Sequence, residues 1–190
     1  MLAYHGTAVT GLSVLIPFAN PLSNLDYPCV YLSVYRALAS LYVWNRDFKW
    51  MTYGFNQEGI PVYNEYFKDC LSGLYGGVRG CIYECDAEFE TDRDTAVRHS
   101  VISMVPVEIK GAEVVENAYE RILAYEKSGE LIINRYESRS EEQKLRDDSM
   151  ILGEIKSKNM LNGLHPLSRF VKEKFPELWA KVLAAERRES

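Results

Sequence analysis

The chain has 190 residues, 47% of them hydrophobic and 26% charged, with a formal net charge of −5. That balance argues against a disordered chain and against a whole-molecule pull towards nucleic acid, leaving room only for a local basic patch. A chain of this length folds as one main domain with an appendage and needs no disulfide or metal staple. No apolar run reaches the ~20 residues that span a bilayer, and the opening Met1-Leu2-Ala3-Tyr4-His5 lacks a basic region and an apolar stretch. A cytoplasmic protein with no membrane partner is expected.

The first ninety residues read as short strands broken by helices. Leu2–Tyr4 is a predicted strand running into His5-Gly6-Thr7, and Thr10–Ile16 a short helix stopped by Pro17. The stretch 20–28, rich in Pro, Asn, Ser and Asp, is loop. Cys29–Ser33 is a strand. Arg36–Asn45 is a helix with Leu38, Leu41 and Tyr42 at helical spacing. Residues 46–58 are aromatic and irregular. Val62–Leu74 is predicted helical, ended by Gly73 to Gly77, and Gly80–Asp86 is a strand.

Residues 87–99 form an acidic, polar loop, and Ser100–Ile109 one or two strands around Pro106. Ala112–Lys127 is a predicted helix with Val115, Tyr119, Ile122 and Leu123 on one face and Gly129 as its cap. Leu131–Tyr136 is the last strand. Composition then shifts: 138–148 is almost wholly polar, and Met150–Met160 and Leu167–Ala185 read as two helices. Residues 1–137 are therefore taken as the main domain and 138–190 as a helical appendage. Phe170, Phe175, Leu178 and Trp179 in it need cover, from the core or from a partner.

Cys81 and Cys85 fall on one face of a strand, but His5, His99 and His165 are not spaced to complete a zinc site. Buried, inert thiols and no metal are expected.

Two motifs carry chemistry. In Tyr4-His5-Gly6-Thr7, an imidazole stands beside a backbone that a planar ligand can approach, because Gly6 has no Cβ. The same tetrapeptide also suits a plain turn. In Val30-Tyr31-Leu32-Ser33 and the following Ala39-Ser40-Leu41-Tyr42, Tyr31 and Tyr42 sit on a strand and on the helix after it. Two such rings can sandwich a pyridinium cation. Two core tyrosines among thirteen are the alternative.

Together these motifs resemble the His-Tyr class of ADP-ribosyltransferases, which includes diphtheria toxin and the poly(ADP-ribose) polymerases. The small rifampicin-inactivating ADP-ribosyltransferases are similar in size. The likeness covers roughly residues 3–115 and takes in the Gly80–Cys85 strand, the acidic Phe89-Glu90-Thr91-Asp92 and the Pro106–Gly111 strand. It implies an α+β fold: a split, mainly antiparallel sheet with short helices, here followed by the C-terminal helical pair. It implies NAD as substrate, with His5 on the adenosine ribose, the Gly6 backbone on the nicotinamide carboxamide, Thr7 beside them, and Tyr31 and Tyr42 flanking the nicotinamide ring. It also implies an acid that steadies an oxocarbenium-like transition state.

Similarity to the rifampicin enzymes favours Asp92 for that acid, with Glu90 in reserve and Glu88 and Glu108 behind. Toxin-like members place a glutamate where His99-Ser100-Val101-Ile102-Ser103 has none. Glu88-Phe89-Glu90 resembles the Glu-x-Glu of arginine-modifying toxins, but the arginine and Ser-Thr-Ser signatures of that class are missing. The expected activity is mono-ADP-ribosyl transfer to a protein, nucleic acid or small molecule. The alternatives are an inactive NAD-binding module and an interaction protein working through its C-terminal helices. The aromatic insert at 47–67, with Phe48, Trp50, Tyr53 and Phe55, is expected to wall the pocket or pack the core.

Overall fold

The computed structural model describes residues 1–19, 25, 27–44, 53–86, 88, 90–91 and 99–189. It is an α+β protein with two compact units, one of Met1–Asn45, Tyr53–Tyr63 and Leu71–Ile133, the other drawing on Asn64–Cys70 and Asn134–Ser190. Among the described residues no helix is long and apolar enough to cross a membrane.

The first unit is built on a six-stranded sheet. Its strands are β1 (Leu2–Thr7), β3 (Val30–Ser33), β6 (Gly80–Asp86), β7 (Glu90–Thr91), β8 (Ser100–Ser103) and β10 (Gly111–Val115), in the order β10-β6-β1-β3-β8-β7. Among the described residues every pairing within it is antiparallel. Glu84, Tyr4, Ser33 and Ser100 are directly paired across four strands, so they share one face. Cys85, Ala3, Leu32 and Val101 face the other way and are buried in an apolar core with Tyr83, Cys81, Leu15 and Val107.

The polar face is covered by α1 (Arg36–Ser40), which packs on β1, β3 and α3 (Ala118–Ser128). The approach is close because Gly6 has no side chain: a Cβ there would lie 1.8 Å from the Ala39 carbonyl oxygen. Asn117 caps α3 by accepting from the Tyr119 amide, and Gly129 ends it at φ 79°. A second sheet has the order β11-β5-β4, with β4 (Tyr53–Phe55), β5 (Pro61–Asn64) and β11 (Ile132–Asn134).

Five expected elements of this part of the chain differ. Thr10–Ile16 is not a helix. Gly11 takes a left-handed φ of 77°, and β2 (Val14–Leu15) pairs with β9 (Val107–Glu108). Only the end of Val62–Leu74 is helical, as α2 (Cys70–Tyr75), because β5 alternates buried and half-buried residues and Asp69 breaks the chain at φ 57°. The expected helix from Ala112 begins at Ala118, since residues 111–115 pair with β6. The helix at Arg36 ends at Ser40 and the last strand covers only Ile132–Asn134.

In the second unit the expected pair of helices is three: α4 (Glu141–Ser157), α5 (Ser168–Lys174) and α6 (Pro176–Glu189). α4 starts inside the polar stretch on a capping box of Ser140 and Gln143, and Pro176 forces the break after Phe175. Phe67, Phe170 and Phe175 pack as a trio with ring centres 5.8–6.2 Å apart, beside a core that includes Ile151, Ile155, Met160 and Val182. The buried Arg139 pairs with Asp147 and donates to the Glu65 carbonyl oxygen at 2.8 Å, which ties the 64–70 segment into this core.

Candidate functional site

The pairing of β1 with β3 stops at Tyr4 and Ser33, and beyond that point the strands part. A small, solvent-open cleft of about 40 Å³ lies at the split, lined by Tyr4, His5, Gly6, Tyr31, Ser33 and Ser100 of the sheet and, from outside it, by Ala39, Tyr42 and Tyr53.

The His5 ring sits in the gap between the parted strands, with Nδ1 2.8 Å from the Tyr31 carbonyl oxygen. A carbonyl only accepts, so Nδ1 carries the proton and donates. Burial lowers the pKa of His5 below 6.5 although that hydrogen bond opposes the shift. The ring is then neutral at pH 7, with Nε2 left as an acceptor.

Tyr42 follows α1 and reaches the cleft because its backbone is held there. Its amide donates to Ala39 at 2.9 Å, and the fully buried Tyr75 donates its hydroxyl to the Leu41 carbonyl at 2.9 Å. Tyr42 keeps 38% of its surface exposed. Its hydroxyl, however, is desolvated beside Tyr53, which holds its ionisation well above the ordinary tyrosine range. That hydroxyl donates to Tyr53 at 3.4 Å. Burial also raises Tyr53, against the lowering effect of hydrogen bonds with Tyr42 and Ser100. Tyr42, Tyr53 and Ser100 thus form a chain of neutral hydroxyls along one side of the cleft.

Of the residues singled out in the sequence, His5, Gly6, Tyr31 and Tyr42 come together here. Gly6 serves packing first, because the place of its missing side chain is filled by Ala39. Thr7 is not among the lining residues; its Oγ1 accepts from the Val9 amide at 3.2 Å and shapes the turn after β1. Asp92 lies outside the described residues. Glu90 pairs with Ile102, which pairs with Tyr31, so the Glu90 backbone stands two strands from Tyr31, about 10 Å away. Glu88 is exposed. Glu108 is exposed and bonded to Lys110 at 2.6 Å, which lowers its pKa. None of the described lining residues is a carboxylate.

Ser100 escaped the sequence reading. Its signal is weak, since only its register with Ser33 and Tyr4 brings it to the cleft. Tyr53 came from an insert whose aromatics had no preferred member. Among the described residues no cluster of three or more His, Cys, Asp or Glu is placed to hold a metal ion, and Cys29, Cys70, Cys81 and Cys85 are buried. The chain matches no family model, no curated protein and no solved structure.

Proposed function

We propose that this chain has an ADP-ribosyltransferase-like fold and transfers ADP-ribose from NAD to an acceptor that is a protein, a nucleic acid or a small molecule. The observation that supports this is the meeting of His5, Gly6, Tyr31 and Tyr42 in one cleft, from a strand end, a second strand and a helix end. In this reading Tyr31 and Tyr42 hold the nicotinamide ring between them, and the neutral Nε2 of His5 accepts from a ribose hydroxyl. The nicotinamide–ribose C–N bond breaks with its electron pair leaving on neutral nicotinamide. The acceptor's nucleophile then bonds the anomeric carbon and loses its proton. An anion near that carbon stabilises the charge that develops.

The second reading, an NAD-binding module without turnover, draws on the absence of a carboxylate among the described lining residues. One experiment separates the two: nicotinamide release from NAD, with NAD affinity measured in parallel, for wild type, Asp92→Asn and Glu90→Gln. The transferase reading expects release by wild type and a hundred- to thousandfold slower release by Asp92→Asn, ~3–4 kcal/mol, at near-normal affinity. Binding without release supports the module. A wild type that does neither defeats both readings.

A further inference from the structure

The described residues that line the cleft include no Lys, Arg, Asp or Glu, and burial holds His5 neutral at pH 7. A dinucleotide brings two phosphates, and this lining offers them no counter-charge. We infer that Arg36, beside the lining residue Tyr4, binds the pyrophosphate of the dinucleotide; the inference rests on the NAD reading above.

Arg36 opens α1, three residues after Ser33. Its guanidinium carbon lies 5.5 Å from the ring centre of Tyr4, which lines the cleft. Its Nε is 3.1 Å from Glu113 Oε2, while Glu113 Oε1 is 2.5 Å from Nε of Arg121. One carboxylate therefore serves two guanidinium groups, and the cluster keeps a net charge of +1. Tyr125, which accepts from Arg121 Nη2 at 3.1 Å, adds no charge, because burial raises its phenol above the ordinary range. Glu84 pairs with Tyr4 in the sheet but forms no ion pair with Arg36.

The tether matters as much as the charge. Arg36 Nε stands 3.1 Å from Glu113 as an ion pair without a hydrogen bond, and Nη1 and Nη2 donate no hydrogen bond to any described residue. The Arg36 side chain is 36% exposed. A guanidinium whose inner nitrogen faces a carboxylate, which lies over an aromatic ring and whose outer two nitrogens donate to no described residue, offers a planar fork to two phosphate oxygens. A lysine supplies a point charge without the fork.

Titration calorimetry with NAD, ADP-ribose and nicotinamide riboside, which lacks phosphate, tests the assignment on wild type, Arg36→Gln and Arg36→Lys. Arg36→Gln is expected to weaken NAD and ADP-ribose roughly 10- to 100-fold and to leave the riboside unchanged. Arg36→Lys recovers part of the loss. Unchanged NAD affinity in Arg36→Gln overturns the inference, as does an equal loss for the riboside, which marks Arg36 as a prop for Tyr4. Should Arg36→Gln fail to fold, Arg36→Lys decides on the same contrast between phosphate-bearing ligands and riboside. A wild type that binds ADP-ribose through Arg36 yet neither binds the riboside nor releases nicotinamide keeps this site and defeats the transferase reading. A wild type that binds none of the three defeats both.

Discussion

Gly6 and Phe170 stand in the two units of the molecule and are required for opposite reasons. At Gly6 the fold needs emptiness: the Ala39 carbonyl already fills the place of a side chain. At Phe170 it needs volume: the ring is 2% exposed and packs against Phe67 and Phe175. The difference shows why a motif glycine is an ambiguous sign of a ligand. The sequence around Gly6 suggests a backbone left open for a planar molecule, yet the side-chain position is taken by α1. What Gly6 gives the cleft is indirect. By letting α1 close onto β1, it fixes where the helix ends and therefore where Tyr42 emerges.

Phe170→Ala is the harsher break. Deleting a buried phenyl ring typically costs about 3–5 kcal/mol, so the second unit should lose most of its stability. Denaturant unfolding followed by far-ultraviolet circular dichroism measures this; a loss below about 1 kcal/mol would show that the aromatic trio does not hold α5 and α6 together. Gly6→Ala comes next. A methyl group 1.8 Å from a carbonyl oxygen forces the helix off the strand, and overpacking of this kind costs about 1–3 kcal/mol. Unlike Phe170→Ala, it should also abolish NAD-induced thermal stabilisation at temperatures where the protein is still folded. A Gly6→Ala protein that is fully stable and still binds NAD would mean that α1 need not touch β1.

Much of the first unit was legible because its signals are local. The apolar run in Gly80–Asp86, the Gly129 cap, and the Tyr4-His5-Gly6-Thr7 and Tyr31–Tyr42 motifs need only neighbouring residues to be seen. Partners distant in the chain decide what was misread. Val14 and Leu15 are a strand only because Val107 and Glu108 lie beside them, and residues 111–115 extend because β6 offers a free edge. The start of α4 was readable, since Ser140-Glu141-Glu142-Gln143 is a capping-box sequence, but its polar composition hid it. Ser100 and Arg36 depend on register and on rotamer, which composition and spacing do not carry.

The smallest expected effect is the most specific, and it contrasts one histidine from each unit. His5 and His165 are both held below pKa 6.5, chiefly by burial; Lys158 adds to the effect at His165. Above pH 6.5 each is neutral whether the chain is folded or not. As pH falls below 6.5 the unfolded chain takes up protons first, so both histidines withdraw stability between 6.5 and their lowered folded values. Only His5 lines the cleft, where Nε2 is an acceptor while the ring is neutral. NAD affinity should therefore be flat above pH 6.5 and fall only as pH drops through the lowered pKa of His5. No alkaline loss is expected up to pH 10, because Tyr42 and Tyr53 ionise above that. His165→Ala should keep this acid limb. His5→Ala should bind roughly 5- to 150-fold more weakly, a hydrogen bond's worth of ~1–3 kcal/mol, and show no acid limb at all. Calorimetric titration from pH 5 to pH 9 distinguishes these outcomes. An acid limb that survives in His5→Ala assigns the proton to another group and removes Nε2 from the binding of NAD.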